Sequence, residues 1–143
     1  MILLETSIEI NAPMDKVWKK FIDLEGWSEW STAIYDISCS TTPFMQQGSR
    51  FDFSVKPIVL PVKISAETAE VVDHKKIVWR GVKFSAQVVH EFLFEKIDDG
   101  VLITSREYIS GLLVSLFGFL LPKRMLTAVT IKLLNELKAA SES

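Results

Sequence analysis

The feature that most limits the fold of this chain is an alternation of apolar and polar residues that recurs, segment after segment, from Tyr35 to Ile109. Tyr35, Ile37 and Cys39 alternate with Asp36 and Ser38, and Phe51, Phe53 and Val55 with Asp52 and Ser54. Val62, Ile64 and Ala66 alternate with Lys63, Ser65 and Glu67, and the phase then blurs after Thr68, as a bulge would make it. Later runs put Ile77, Trp79 and Gly81 on one face, then Phe84, Ala86, Val88, His90, Phe92 and Phe94. The last places Val101, Ile103, Ser105, Glu107 and Ile109 together. A period of two sends successive side chains to opposite faces of a strand, so these segments predict an antiparallel sheet covered on one side. Turn chemistry separates them: Pro43 to Gly48, the prolines at 57 and 61, Asp73 to Lys76, and Asp98 to Gly100. Leu4 to Ile10 alternates in the same way and supplies a seventh strand.

Helical patterns flank the sheet. In "NAPMDKVW", Asn11 ahead of Pro13 predicts a helix start, with Val17, Trp18 and Phe21 as its apolar side. Gly26 interrupts it, and "LEGWSEWS" reads as a second short helix or turn carrying Trp27 and Trp30. After the sheet comes "ISGLLVSLFGFLLPKRML", the most apolar part of the chain. Its uncharged run of about 13 residues is shorter than the roughly 20 that cross a bilayer, which predicts no transmembrane segment. Pro122 is expected to kink or divide this C-terminal helix. Beyond it, Leu126, Val129, Leu133 and Leu137 form one stripe. Before it, Gly111 to Leu121 is apolar all round, which calls for two apolar neighbours. This half is read as a lid or wall at a ligand entrance; with its outer face exposed, it becomes a dimer patch or a weak membrane-surface contact.

A chain of 143 residues is read as a single domain, 1–143. Its 16 basic and 18 acidic residues leave a net charge of −2 with no basic run, so nucleic-acid binding is excluded as an expectation. Cys39 is the sole cysteine and the N-terminus lacks a basic region ahead of its apolar residues, which together predict a cytoplasmic protein. The two histidines and one cysteine have no metal-ligand spacing, and Gly111 and Gly118 form no phosphate loop, so neither metal nor cofactor is implied. His74 is expected to be solvated in its turn. Arg80, Lys83 and Arg106 are read as solvated sheet faces.

The order of elements, with "IEINAPMDKVWKKFIDLEGWSEW", "GSRFDF", "KKIVWRG", "HEFLFEKIDDGVLITSREYISGLL" and "LLNELKAA", resembles the START/SRPBCC (helix-grip, pollen-allergen-like) superfamily. Within it the chain is most similar to the polyketide cyclase/dehydrase-like branch, over essentially its whole length. The resemblance implies an α+β helix-grip fold: a curved seven-stranded antiparallel sheet wrapped around a long C-terminal helix, with two short helices between strands 1 and 2. It also implies an elongated apolar cavity between sheet and helix. The superfamily holds lipid carriers, hormone receptors, co-chaperones and a minority of enzymes, so fold alone leaves activity open.

If that cavity is present, the inward residues Phe51, Phe53, Trp79, Phe84, Phe92 and Phe94 line it from the sheet, Trp27 and Trp30 stand near one mouth, and Leu113, Leu116, Phe117 and Leu120 come from the helix. Alternatively these side chains simply fill a core. The sharper feature is polar, because His90 and Glu107 both point inward. A two-residue turn at Asp99-Gly100 sets Phe92 opposite Glu107 with His90 diagonal to it, whereas a four-residue loop from Ile97 to Gly100 sets His90 directly opposite. The pair reads as a structural contact, as the anchor for an amphipathic head, or as a general acid/base. The leading expectation is binding or transport of a small hydrophobic or amphipathic ligand, lipid- or polyketide-like, without catalysis. The alternatives are a cyclase/dehydratase-type enzyme using His90 and Glu107, or a protein-interaction module working through the helix and an open sheet edge. Monomer and homodimer both remain open.

Overall fold

The computed structural model describes residues 1–57, 59–83 and 85–143. Strand β1 (Ile2–Ile10) leads into helix α1 (Met14–Ile22) and a 3-10 helix at Leu24–Glu29. Six strands follow: β2 (Tyr35–Cys39), β3 (Arg50–Val55), β4 (Val62–Val72), β5 (Lys76–Lys83), β6 (Ala86–Ile97) and β7 (Gly100–Ser110). The chain ends in α2 (Leu112–Phe117), a 3-10 turn at Gly118–Leu120, and the long helix α3 (Lys123–Glu142). All seven strands join one antiparallel sheet in the order β1-β7-β6-β5-β4-β3-β2, a meander that β1 closes by pairing with β7. This is the α+β helix-grip arrangement, a curved sheet gripping α3 with two short helices between its first two strands.

Alternation sets which face is covered. Phe51, Phe53 and Val55 of β3 are buried, as are Val101, Ile103, Ser105 and Ile109 of β7. The β4–β5 register shifts between Thr68 and Glu70, where the sequence loses its phase, and a second shift in β2 separates Tyr35 from Ser38. Asn11 does not cap α1. Pro13 occupies the cap position, and the Asn11 amide instead donates 2.8 Å to the Glu142 carboxylate, tying the start of α1 to the last turn of α3.

The covered face has two unlike halves. At the end where β1, β2, β4 and β6 stop and β3, β5 and β7 begin, α1 and the following 3-10 helix fill the space with rings. Phe21 is wholly buried at their centre, 4.8 Å from Phe92, 5.3 Å from both Trp27 and Phe94, and 6.1 Å from Trp79. The Trp27 indole N–H donates to the Phe21 carbonyl at 2.8 Å, so a polar group is satisfied inside this packing. Leu133, Leu134 and Leu137 of α3 close it from the other side. At the opposite end, where Val55 pairs with Val62, Lys83 with Ala86 and Ile2 with Ile109, no such plug exists among the described residues.

Two local features shape that second half. The β6–β7 hairpin turns through Asp98 and Asp99, with Ile97 opposite Gly100, and this sets His90 directly opposite Glu107. Gly100 begins a strand because it must: a Cβ there would lie 1.9 Å from the Ile10 carbonyl oxygen. Pro122 divides the C-terminal helix as expected. Leu121 before it is extended (φ −67°, ψ 132°), the conformation a following proline favours, and α3 departs at 97° from the Leu112–Leu120 axis.

Candidate functional site

Between the unplugged half of the sheet and α3 lies a cavity of about 330 Å³, within the range of ordinary ligand pockets. Phe53, Val55 and Ile64 form one wall, Val88 and Ile109 another, and Leu126, Val129 and Thr130 of α3 form the roof. Trp79 is the partition between this space and the aromatic plug, contacting Phe21 on one side and His90, at 5.2 Å, on the other. Val114, Leu121 and Pro122 stand at one edge and Pro57 and Val62 at another. A larger depression of about 620 Å³ on the other face of the sheet runs past Arg50, Glu67 and Arg80, whose side chains are exposed. We place the site in the enclosed apolar space, where desolvation strengthens each polar contact.

Besides Thr130 in the roof and Lys83 at the border, the polar groups of the cavity are one cross-strand pair. His90 is buried beneath the stacked ring of Phe92, at 4.2 Å, and one ring nitrogen, Nε2, shares a 2.7 Å hydrogen bond with the Ser105 hydroxyl. Its other nitrogen, Nδ1, faces Glu107 Oε2 at 3.8 Å, too long for a hydrogen bond. Glu107 has 18% of its side chain exposed, and no hydrogen bond reaches its carboxyl among the described residues. Burial without a donor pushes that carboxyl up to about 7, and burial pushes the His90 imidazole down to about 3. In mildly acidic solution the pair therefore carries one titrating proton, on the carboxyl, and the short approach is not an ion pair. A neutral acid and a neutral imidazole both look into an apolar chamber. They can donate to and accept from one polar head, or move a proton at it.

The fourteen expected site residues divide sharply. Phe53, Trp79, His90 and Glu107 line the cavity. Phe51 is buried beside Phe53 and Trp79, in the layer behind the lining. Trp27, Phe92 and Phe94 point inward as alternation requires, but Phe21 and its neighbours occupy the space before them. Trp30 packs on Trp27, 4.9 Å away, outside the cavity. Phe84 lies outside the described residues. Leu113, Leu116, Phe117 and Leu120 face solvent, 48–69% exposed, because the bend at Pro122 carries them off the sheet. The residues of that segment that do reach the cavity are Val114, Leu121 and Pro122, which a uniform helix would not single out.

The other residues singled out in the sequence have these settings. His74 is not simply solvated; it stacks on Trp18 at 5.4 Å and bonds to Asp15 and Asp73. Gly111 precedes α2 at φ 133°, where a Cβ would meet the Ser85 carbonyl at 2.5 Å. Arg106 pairs with Glu5 and Glu91 across the outer face, and Lys83 borders the cavity. Cys39 is a partly buried free thiol whose pKa is raised by burial and by Glu25 and Asp23, an unreactive setting. Among the described residues no group of three or more His, Cys, Asp and Glu could hold a metal ion, and no single helix is long and apolar enough to cross a membrane.

Comparison with known proteins places this geometry. The sequence profile of the family described as "Polyketide cyclase / dehydrase and lipid transport" matches residues 1–142. Among curated proteins none matches the chain. Among solved structures, a hypothetical protein of Helicobacter pylori superposes with a TM-score of 0.79 at 22% identity, covering 98% of this chain and 88% of that one. The di-domain aromatase/cyclase StfQ of the steffimycin biosynthetic pathway gives 0.79 at 15% identity, covering 99% of this chain and 51% of its own. Major latex-like protein 151 of Panax ginseng gives 0.81 at 10% identity, covering 99% and 98%. These identities carry the fold and nothing finer.

Proposed function

The chain belongs to the polyketide cyclase/dehydrase and lipid transport family, and from that premise we propose that it binds one small amphipathic molecule in the cavity beneath α3. The observation that carries this reading is the Glu107 carboxyl, unpaired and directed with His90 into a chamber whose lining is otherwise apolar except for Thr130 and Lys83. A buried carboxyl without a donor costs free energy, and a ligand with a carbonyl or hydroxyl head removes that cost while its apolar body meets Phe53, Ile64, Val88 and Val129. A fully apolar ligand leaves Glu107 as it is and gains nothing from it.

Native mass spectrometry of the purified protein, compared with its Val129→Trp variant, tests the proposal. Val129 sits in the roof, and an indole there projects into the space that the apolar body of a ligand would take. The unmodified protein is expected to release a low-mass amphipath and the variant none. Absence of any adduct, together with no binding of an anilinonaphthalene probe in the unmodified protein, overturns the reading.

A second reading attaches to the same two groups. Both reach the open space and hold one proton between them, which is the equipment for general acid/base chemistry at an activated carbon or a departing hydroxyl, as in cyclisation or dehydration. Glu107→Gln separates the two readings. A binding protein keeps its ligand with modestly altered affinity, whereas an enzyme keeps its substrate and loses turnover.

A further inference from the structure

The cavity end of the molecule has a surface unlike the rest. Of the large apolar side chains exposed among the described residues, only Phe44, Val72 and Ile131 lie elsewhere. Leu112, Leu116, Phe119 and Leu120, which are 57–81% exposed, project from the α2 segment, and Val59 and Leu60, 70% and 75% exposed, from the β3–β4 loop. Both segments border the same opening, through Val114, Leu121 and Pro122 on one side and Pro57 and Val62 on the other.

Charge is distributed with the same polarity. No carboxylate occurs from 53 to 66 or from 108 to 135, the two stretches that build this border, although the whole chain is net acidic. Both stretches carry exposed cations: Lys56 and Lys63 in one, Lys123 and Arg124 at the start of α3 in the other, with Lys132 further along that helix. None of Lys56, Lys63, Lys123 and Arg124 joins an ion pair among the described residues, and neither stretch holds a carboxylate that could neutralise them.

We propose that this end is a docking surface for an anionic lipid bilayer, entered shallowly by Leu112, Leu116, Phe119, Leu120, Val59 and Leu60 while the four cations meet headgroups. Apolar side chains on two separate projections, fringed by unpaired cations, match an interface with a greasy interior and a negative rim. A second copy of the chain fits less well, since a two-fold contact would bring the same cations face to face. The helices do not span: α3 packs Leu133, Leu134 and Leu137 into the core and leaves α2 at 97°, so the molecule lies on the surface with its cavity opening toward the lipid. The docking extends the cavity reading by naming the source of the amphipath. It fails separately, since a protein that takes up a soluble probe yet ignores vesicles refutes only the docking.

Co-sedimentation of the full chain with vesicles of phosphatidylcholine, alone or mixed equally with phosphatidylglycerol, tests it. Binding is expected to the mixed vesicles only, and to weaken as added salt shortens the screening length below about 10 Å. Each basic residue near such a surface contributes about five-fold in partitioning, so Lys123→Gln with Arg124→Gln should lower it about 25-fold. Phe119→Glu with Leu120→Glu should abolish it, with circular dichroism unchanged because both side chains are exposed. The indole introduced by Phe119→Trp should be quenched by brominated lipid. Equal sedimentation of wild type and these variants, no preference for the anionic vesicles, or a dimer that shields this indole without lipid would each overturn the proposal.

Discussion

Replacing Glu107 by glutamine keeps the shape of the side chain and removes its ionisation, so comparison of the two proteins across pH isolates one carboxyl. In the folded chain that carboxyl is held up at about 7 by burial, against an ordinary value of 4.5. A folded-state pKa above the unfolded one means that the native state holds the proton more tightly. Its contribution is therefore fully present below the unfolded value of 4.5 and is lost as pH rises through about 7. Between about pH 5 and pH 8 the wild type should lose about 2–3 kcal/mol relative to Glu107→Gln. For a chain of 143 residues this corresponds to a difference of about 8 °C in Tm. His74 is also raised, through its hydrogen bond to Asp15, and titrates in the same direction, but it is common to both proteins and cancels. His90, lowered by burial from 6.5 to about 3, weakens the fold as pH falls from about 6.5 toward 3, and it too is common to both proteins. Urea unfolding followed by tryptophan fluorescence at several fixed pH values measures the difference. Parallel stability curves for the two proteins from pH 5 to pH 8 would refute the claim that Glu107 is held neutral.

Phe21→Ala removes the ring around which Trp27, Phe92 and Phe94 pack, and should cost about 3–5 kcal/mol, read from urea midpoints. Gly100→Ala sets a methyl group against the Ile10 carbonyl and should cost about 3 kcal/mol, with exchange protection of the β1 amides lost first. Glu136→Ala deprives the Thr32 and Ala33 amides of their acceptor and should cost about 1–2 kcal/mol at neutral pH. Burial raises the Glu136 carboxyl, but the hydrogen bonds from Thr32 and Ala33 outweigh it and leave the pKa lowered. Its stabilisation is therefore present above the unfolded pKa, and the gap between wild type and variant should narrow as pH falls through the folded value, as circular dichroism melts can show.

What the sequence disclosed follows from the reach of its signals. Alternation is local, so the seven strands and their inward faces were legible, and even the bulge after Thr68 announced itself as a lost phase. Register is not local. Whether His90 met Glu107 squarely turned on which residues formed the hairpin, and the need for glycine where β7 begins comes from Ile10, ninety residues away, whose carbonyl leaves no room for a side chain at position 100. Inward direction also cannot distinguish a ring against a ligand from a ring against Phe21. Phe92 and Phe53 are equivalent by pattern, yet one is covered by α1 and the other borders open space.

The cavity and the exposed apolar end have one cause. The residues before Pro122 are apolar on every side, and a straight continuation of α3 would lay several of them over the sheet, where they would fill the space above Val88 and Ile109. Proline removes an amide from the helix and forces Leu121 into an extended conformation, so the axis turns through 97° and the segment leaves the sheet. Leu126, Val129 and Thr130 then roof the chamber, and the aromatic plug of α1 stops at Trp79. The same turn sends Leu116, Phe119 and Leu120 into solvent beside the opening. Exposing such side chains gains nothing for a chain that works alone in water, since each forgoes about 1.5–3 kcal/mol of burial. Placing them at the mouth of an apolar chamber, next to unpaired cations, makes sense where the surroundings are themselves apolar and negatively fringed.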